Sequence, residues 1–434
     1  MTKPQAAVAA SPQRNDDRLP WRHLLNVFLP FALGYFISYL FRVINALISN
    51  DISRDLGLSP GQLGLLTSVY FLAFGLFQLP LGLLLDRFGP RRVNAALLSL
   101  AAVGALLFAL AQDVTSLLLA RALIGIGVSS CLMGAIKAFV YWFPMSRLAS
   151  LNGWLIAMGG VGALTASMPV ELALRVTDWR GVFMGLSLAT LLVAAVVLWK
   201  VPERFESRRE TWPELFDGLR RVFATPVFWL VSLPFGLAFG VFQAVQGLWI
   251  APWLSDVAGL SRADIGQALL VSALGMISGL ILFGSLSDRL TRQGRSGMRL
   301  FCLGTCLALL PLGAIALGVA SLAGFDIAWA LFPLATFFLM AASLGYAIVS
   351  SHFPRQMAGR VNTSINLLVM GFSFLFQWGI GAVIALWPPL QGRYPLEAYQ
   401  TAFGLCVAAI AIAMLPLLFS RHLRHSALPG QPVA

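Results

Sequence analysis

Charged residues are scarce in this chain, at 11% of its 434 residues. A soluble globular domain carries about 25% charged residues, whereas hydrophobic residues here reach 58%. This excludes an ordinary soluble protein and indicates a membrane protein. At roughly 35 residues per membrane-spanning helix with its loop, the length accommodates about twelve spans.

Cysteine and histidine are also scarce, with four of each. The cysteines lie in apolar stretches without metal-ligand spacing, so we expect no disulfide framework, no metal site and no cofactor. The sequence also lacks any resemblance to a Walker loop, a catalytic triad or a metalloprotease helix. It therefore predicts neither an enzyme nor ATP-driven transport.

The net charge of +12 would suit nucleic acid, but the basic residues are scattered through short loops. We interpret them as topology signals and expect a lipid bilayer, not nucleic acid, as the partner. Most Lys and Arg fall on the side of the termini, and the opposite loops carry only Arg54, Arg175, Arg180, Arg262 and Arg393. The positive-inside rule then predicts cytoplasmic N- and C-termini. The short N-terminus and compact loops favour a bacterial inner (plasma) membrane.

Apolar windows of about 20 residues predict twelve spans. They lie near residues 22–49, 60–85, 93–112, 115–143, 148–173, 180–199, 226–254, 264–287, 299–320, 327–351, 360–386 and 398–420. The expected fold is an all-α polytopic membrane protein, with 12 transmembrane helices in two pseudo-symmetric six-helix bundles. Its predicted parts are a disordered cytoplasmic tail (1–20), an N-terminal bundle (21–199), a cytoplasmic linker (200–225), a C-terminal bundle (226–420) and a cytoplasmic tail (421–434).

Two short motifs recur at one offset of 202 residues. The stretch Leu58–Gly64 (LSPGQLG) is echoed by Leu260–Gly266 (LSRADIG), and Gly82–Arg87 is echoed by Gly284–Arg289. Two unrelated motifs at one offset indicate duplicated six-helix halves. Such halves place a substrate site at their interface near the bilayer midplane, and rocking of the halves exposes it to each side in turn.

The loop between spans two and three reads Gly82-Leu-Leu-Leu-Asp86-Arg87-Phe-Gly89-Pro-Arg91-Arg92. It resembles the signature loop of the major facilitator superfamily, with a degenerate copy after span eight, and the resemblance covers essentially the whole chain. In that family the loop latches the two halves on the cytoplasmic side, and a glycine lets helices approach closely. The alternative is that these charges only set topology. The gating residues implied by the resemblance are Gly82, Asp86, Arg87, Gly89, Arg91, Asp288 and Arg289.

Three basic residues lie inside predicted spans, where a cation costs about 2.5–3.5 kcal/mol on insertion scales. On span one, Arg42 shares a helix face with Tyr35, Ser38, Asn45 and Ser49. A polar stripe facing lipid would be costly, so we predict that Arg42, Tyr35, Ser38 and Asn45 line the cavity and bind substrate. The alternative is that Arg42 snorkels to the outer surface, about 12 Å away.

Span four contains the other two basic residues. Arg121 begins the stretch Arg121-Ala-Leu-Ile-Gly125-Ile-Gly127, which resembles the superfamily's second motif and is as consistent with a structural role as with a binding role. We predict that Arg121 or Lys137 completes the positive field around the substrate; the alternative for Lys137 is that it snorkels to the cytoplasm. On a straight helix the two lie about 160° apart, so both face one cavity only if the glycines bend the span.

Arginines in spans one and four resemble the organic-anion branches of the superfamily: the organophosphate antiporters, the anion:cation symporters and the lysosomal dipeptide uniporters. The proton-coupled symporters of that kind carry an acid seven residues after the span-four arginine, where this chain has Val128. No acid in the sequence falls mid-membrane, and Glu171 falls near an outer end. Importing a lone anion costs about 2.3 kcal/mol per charge per 100 mV, so exchange, export or transport of a zwitterion is favoured.

The second half offers the same cavity only neutral polar groups, for each of which a helix–helix hydrogen bond is the alternative. The predicted substrate-binding residues there are Gln243, Gln246, Tyr346, Asn362, Asn366 and Gln377.

The sequence therefore predicts a secondary active or facilitative transporter of a small organic anion or zwitterion, working by alternating access. An unpaired cationic cavity favours a carboxylate, phosphate ester, amino acid or short peptide, which supplies the missing negative charge. The alternatives are an exporter of a bulky apolar metabolite or drug and a sensor that does not transport. We expect a monomer whose partner is a small-molecule substrate.

Overall fold

A computed structural model describes residues 21–144, 147–203, 212–293, 295–319, 328–354, 357–390 and 392–419. The predicted tails, 1–20 and 421–434, lie outside these residues. The predicted linker is described in part and contains the helix Trp212–Phe223.

Eleven helices of the described chain are long and apolar enough to cross a membrane. Their bounds are Trp21–Val43, Pro60–Leu110, Val114–Trp142, Ser150–Leu174, Trp179–Lys200, Pro226–Asp256, Arg262–Arg292, Met298–Ala316, Ala330–Ser351, Gly359–Ile384 and Leu396–Phe419. The second has 51 residues and is broken at Gly89, whose φ of 77° is left-handed. Glycine adopts this conformation without a Cβ clash. The break divides the helix into spans two and three. The expected all-α fold with twelve crossings is confirmed.

Successive crossings define two sides of the molecule. We call the side that bears Trp21 and Phe419 the termini side, and the other the opposite side. On the opposite side, side chains cap the spans that begin there. Ser59 accepts a hydrogen bond from the Gln62 backbone nitrogen at 3.3 Å, and Asp113 accepts one from Ser116 at 2.9 Å. Both form capping boxes, which satisfy backbone donors at a helix start.

The two halves meet closely on the opposite side, where span two packs along span eleven. A Cβ atom at Gly64 would lie 2.7 Å from the Gln377 carbonyl oxygen, and one at Gly381 would lie 2.3 Å from the Pro60 carbonyl oxygen. Only glycine permits this backbone approach, as small residues do elsewhere between membrane helices.

Two acidic residues lie at the same interface. Span one continues beyond a break at Ile44 as the helix Asn45–Leu56, and its Asp51 forms an ion pair with Arg262 of span eight. Glu171 of span five is only 4% exposed and lies against Gly266, one turn further along span eight. Its carboxylate pairs with Arg175 on its own helix at 3.1 Å. The opposite side is therefore closed by contacts between the halves.

The termini side lacks such close packing. Apart from the glycine's own helix, no described part of the chain lies within 4 Å of a Cβ atom placed at Gly82, Gly153, Gly284 or Gly359, which belong to spans two, five, eight and eleven. The expectation that Gly82 brings helices together stays a prediction for another conformation, because here span two has no described neighbour within 4 Å of that position. The halves are joined at the opposite side and separated at the termini side.

Candidate functional site

Spans one, four, seven and ten all depart from continuous α-helical hydrogen bonding in their interior, although Ile44 and Ser129 keep right-handed helical φ and ψ. The break in span one falls at Ile44 and that in span four at Ser129, while span seven contains the π-helix Val245–Trp249 and span ten the 3₁₀ helix Met340–Leu344. Ile44 and Gln246 are 202 residues apart, the offset of the sequence repeat. Irregular backbone at membrane depth is tolerated where it is buried in protein or lines a cavity. The irregular segments of these four spans therefore mark candidate positions for the site.

Arg42 lies two residues before the break in span one and is 8% exposed. Its Cζ atom lies 4.7 Å from the Tyr39 ring centroid and 5.3 Å from that of Phe74, both cation–π distances. The helix beyond the break runs to Leu56, which is about 21 Å further at α-helical rise. In this conformation the Arg42 guanidinium is buried among these rings and does not extend to the outer surface, as the snorkelling alternative would require.

Four of the seven tyrosines lie close enough to interact electrostatically with the Arg42 guanidinium. They are Tyr35, Tyr39, Tyr70 and Tyr346. The rings of Tyr35 and Tyr39 contact each other edge-on at 5.3 Å. Gly159 of span five makes room for them, because a Cβ atom there would lie 2.7 Å from Tyr35 and 2.8 Å from Tyr39. The cation is thus enclosed by aromatic faces and phenol hydroxyls.

Glutamines bring unpaired amide groups to the same region. Gln243 and Gln246 of span seven are 4% and 3% exposed, and Gln377 of span eleven is fully buried. The amide nitrogens of all three, and the amide oxygens of Gln246 and Gln377, have no hydrogen-bond partner. Asn45 donates to Thr67 at 3.2 Å, but its oxygen is likewise unpaired. Buried polar groups without partners are costly, so a ligand or ordered water is expected to satisfy them.

Gly247 marks where spans one, seven and eleven converge. A Cβ atom there would lie 3.7 Å from the Arg42 carbonyl oxygen and 4.0 Å from both side-chain amide atoms of Gln377. The Trp249 indole nitrogen donates to the Gln377 carbonyl oxygen at 2.9 Å, which fixes span seven against span eleven. The two halves therefore both contribute to the region around Arg42.

The other predicted residues of spans one, ten and eleven make contacts between helices. The Ser38 carbonyl oxygen accepts a hydrogen bond from the Tyr70 hydroxyl at 3.3 Å. The hydroxyl of Tyr346 donates to Asn366 at 3.3 Å, and that of Ser350 donates to Asn362 at 3.0 Å. In this conformation the two asparagines thus join spans ten and eleven, as the alternative interpretation had it.

Arg121 is 1% exposed and enclosed by aromatic side chains. Its Cζ atom lies 5.3 Å from the Phe108 ring centroid and 5.8 Å from that of Tyr70. Its Nη1 atom donates to the Phe41 carbonyl oxygen at 3.1 Å. Tyr70 also neighbours Arg42. Arg121 therefore packs against residues that surround Arg42.

Lys137 differs from the sequence expectation of an unpaired cavity cation, because it forms an ion pair with Asp86 of the signature loop. Further contacts hold this loop to the first half and the chain that follows. Arg91 donates to the Leu198 carbonyl oxygen at 2.8 Å, and Arg92 pairs with Glu203 at 2.7 Å. These contacts do not latch the two halves together in this conformation.

The remaining predicted gating residues lie at the ends of spans two and eight. The Arg87 guanidinium lies 5.3 Å from the Phe88 ring centroid. Asp288 and Arg289 are exposed on the termini side.

Three neighbours of Arg42 escaped the sequence analysis. Tyr39 could have been found by its spacing, three residues before Arg42, which places both on one helix face. Tyr70 and Phe74 lie on span two and give no such signal, because their approach depends on how spans one and two pack.

The sequence profile described as Major Facilitator Superfamily matches residues 31–377. The chain belongs to the Major Facilitator Superfamily. This is a family of membrane transporters and not of enzymes.

Similar proteins include several bacterial transporters. The chain is 28% identical over 296 residues to the probable sulfoacetate transporter SauU of Cupriavidus necator, covering 64% of this chain and 67% of that protein. It is 23% identical to the probable L-galactonate transporter of Escherichia coli, covering 71% and 75%. It is 24% identical to the E. coli sialic acid transporter NanX, covering 89% and 91%.

The fold matches that of solved superfamily structures. A bacterial homologue of the human lysosomal transporter Spinster, in an inward-facing and occupied conformation, superposes with a TM-score of 0.74 at 19% identity. The match covers 96% of this chain and 100% of that one.

Proposed function

We propose that the protein moves a small organic anion or zwitterion across a bacterial inner membrane by alternating access, with Arg42 as the anchor of the anionic group. The observation that carries this proposal is the position of Arg42, which is buried where the irregular spans converge. No described acidic residue forms an ion pair with it. A carboxylate would supply the missing countercharge and match the bidentate geometry of arginine.

The names of several relatives support an organic acid as cargo, and two others are named for the inorganic anions nitrite and nitrate. Sulfoacetate, L-galactonate and sialic acid are all acids, as is the tartrate of a putative transporter from Agrobacterium vitis that is 25% identical over 60% of this chain. An exporter of apolar compounds would have no use for a buried, unpaired guanidinium. The described structure holds no feature that favours that second candidate.

The charge distribution supports an orientation with both termini in the cytoplasm, since Lys and Arg are concentrated on the termini side. The conformation described above would then be open toward the cytoplasm. The proposed transporter consists of a bundle at 21–199, a linker at 200–225 and a bundle at 226–420. A single chain provides both halves of the site, so a monomer suffices.

Thermal unfolding of the purified protein against mono- and dicarboxylates, phosphate esters, amino acids, dipeptides and lipophilic cations tests the proposal. A ligand at 100 times its dissociation constant stabilises the binding form by about 2.7 kcal/mol. We expect an organic acid to stabilise the wild type and Arg42→Gln to lose the effect. Arg54→Gln, at an exposed arginine of the opposite side, is the matched control. If only lipophilic cations stabilise the protein, and do so equally in the wild type and both variants, the anion proposal is overturned in favour of drug export.

A further inference from the structure

The charges and amide groups around Arg42 indicate a more specific chemical class of substrate. We propose that the cargo is a hydroxylated monoanion, with one carboxylate on a carbon skeleton that carries several hydroxyl groups. This rests on the proposed function and specifies the chemistry of the same site.

The single negative charge follows from the positive charges that are free to meet it. Among the described residues, only Arg42, Arg121 and Glu171 are buried charged side chains. Glu171 pairs with Arg175 near the opposite side, and the span-four cation Lys137 is neutralised by Asp86. Neither pair leaves a charge for the substrate.

Arg121 is not a second anchor in this arrangement. It is 1% exposed, donates to a backbone carbonyl oxygen of span one, and is enclosed by the rings of Phe108 and Tyr70. One guanidinium, that of Arg42, is therefore left to contact an anion. A second carboxylate on the substrate would be buried without a countercharge, which is strongly unfavourable.

The hydroxyl groups follow from the unpaired amide atoms. Gln246 and Gln377 each bury an unpaired donor and an unpaired acceptor, Gln243 an unpaired donor and Asn45 an unpaired acceptor. A carboxylate accepts hydrogen bonds but cannot donate them, so it leaves the amide oxygens unpaired. A hydroxyl both donates and accepts, and several hydroxyls on one skeleton match this mixed set.

Overall sequence similarity would point elsewhere. The relative with 28% identity is named for sulfoacetate, a doubly charged acid without hydroxyl groups. Galactonate and sialic acid, in the names of two relatives with lower identity, are hydroxylated monoanions. The site chemistry therefore favours the second kind of cargo over the first.

Ligand series of matched shape test the assignment on the wild-type protein. Gluconate and galactonate are hydroxylated monocarboxylates, glucarate and galactarate add a second carboxylate, and hexanoate lacks the hydroxyls. By isothermal titration or thermal shift, we expect at least one aldonate to bind about tenfold or more tighter than its dicarboxylate counterpart and than hexanoate, because unmatched buried groups are penalised. This measurement does not depend on any variant folding.

Variants then locate the hydroxyl recognition. Gln246→Met is expected to weaken aldonate binding about tenfold while leaving hexanoate binding unchanged, because it removes one donor and one acceptor. Gln267→Met, at an exposed glutamine of span eight, is the control and keeps wild-type affinity for both. Arg42→Gln weakens aldonate and hexanoate alike.

The outcomes separate the two levels of the proposal. Dicarboxylates that bind as tightly as aldonates overturn the monoanion assignment, and hexanoate equal to the aldonates overturns the hydroxyl assignment. Either result leaves organic-anion transport standing. Failure of these five ligands alone would overturn only the hydroxylated-monoanion assignment, whereas failure of every carboxylate, phosphate ester, amino acid and dipeptide to stabilise the wild type would overturn the proposed function itself.

Discussion

Arg121 donates a hydrogen bond of 3.1 Å to the carbonyl oxygen of Phe41, the residue immediately before Arg42. The helix of span one breaks two residues further on, at Ile44, and backbone carbonyl oxygens next to a break need partners from outside their own helix. Arg121 supplies one such partner. We infer that Arg121 positions the anion anchor instead of contacting the anion.

Changing Arg121 is therefore expected to affect both fold and binding. Arg121→Gln should lower the free energy of unfolding by about 1.5–3 kcal/mol, the usual range for a hydrogen bond from a charged group. It should also weaken anion binding several-fold, because Arg42 is no longer held in place. Arg121→Lys keeps a charged donor and should partly rescue both. Thermal unfolding and titration of the same samples measure the two effects. Unchanged affinity in a destabilised Arg121→Gln protein would limit this arginine to a structural role.

The ion pair between Lys137 and Asp86 gives a second prediction. The two side chains are partly buried, so each one left alone is penalised, and we expect a coupling energy of about 0.5–3 kcal/mol in a double-mutant cycle of Lys137→Met and Asp86→Asn. Anion affinity should stay at the wild-type level in Lys137→Met. If that variant alone lost anion binding, Lys137 would be a substrate ligand, as the sequence suggested.

These two cations show how far the sequence could lead. The polar stripe around Arg42 was predictable because helical spacing alone places its members on one face. The pairing of Lys137 with Asp86 was not, because the residues are 51 positions apart and meet only when span four packs beside the loop. The motif glycines of span four are recognisable in the sequence, but which helix they approach depends on packing. A Cβ atom at Gly125 would lie 2.4 Å from the Tyr70 carbonyl oxygen.

The third prediction concerns the ion pair between Asp51 and Arg262, whose two side chains differ in their exposure to solvent. The Asp51 side chain is 20% exposed and that of Arg262 is 41% exposed. Burial raises the pKa of the Asp51 carboxyl above its usual range, although Arg262 and Arg54 act to lower it. Removing Arg262 thus leaves a half-buried carboxylate, whereas removing Asp51 leaves an arginine that water can solvate.

Arg262→Gln should therefore destabilise the closed opposite side at neutral pH, whereas Asp51→Asn should be neutral or stabilising. The sign with pH follows from the raised pKa. The closed state binds the Asp51 proton more tightly than an open or unfolded state, so the contribution of Asp51 to its stability is greatest at low pH and is lost as pH rises through the raised pKa. Unfolding temperatures measured from pH 4 to pH 8 should lose this slope in Asp51→Asn. Asp217→Asn, on the termini side, is the control that retains it. A larger loss of stability in Asp51→Asn than in Arg262→Gln would contradict the argument.

The register of the closed interface predicts how the open side would close. Spans two and eleven run antiparallel, with Gly64 against Gln377 and a Cβ atom at Gly75 only 2.7 Å from Met370. Continuing these two contacts toward the termini side brings Gly82 within one helical turn of Gly359. In spans five and eight, Gly266 lies against Glu171 and Gly160 against Ile277. The same continuation brings Gly153 opposite Gly284. All four glycines have open surroundings now, and glycine permits the closest helix approach.

Cysteine pairs test this register. Gly82→Cys with Gly359→Cys, and Gly153→Cys with Gly284→Cys, should cross-link with a short thiol reagent only in molecules whose termini side has closed. The rate should rise when Arg262→Gln is added, because that change weakens the opposite side and shifts the population. The diagonal pair Gly82→Cys with Gly284→Cys is the control and should not react. Both matched pairs lie between halves that alternating access requires to approach. Active transport without cross-linking of either pair would therefore show that the halves close in a different register.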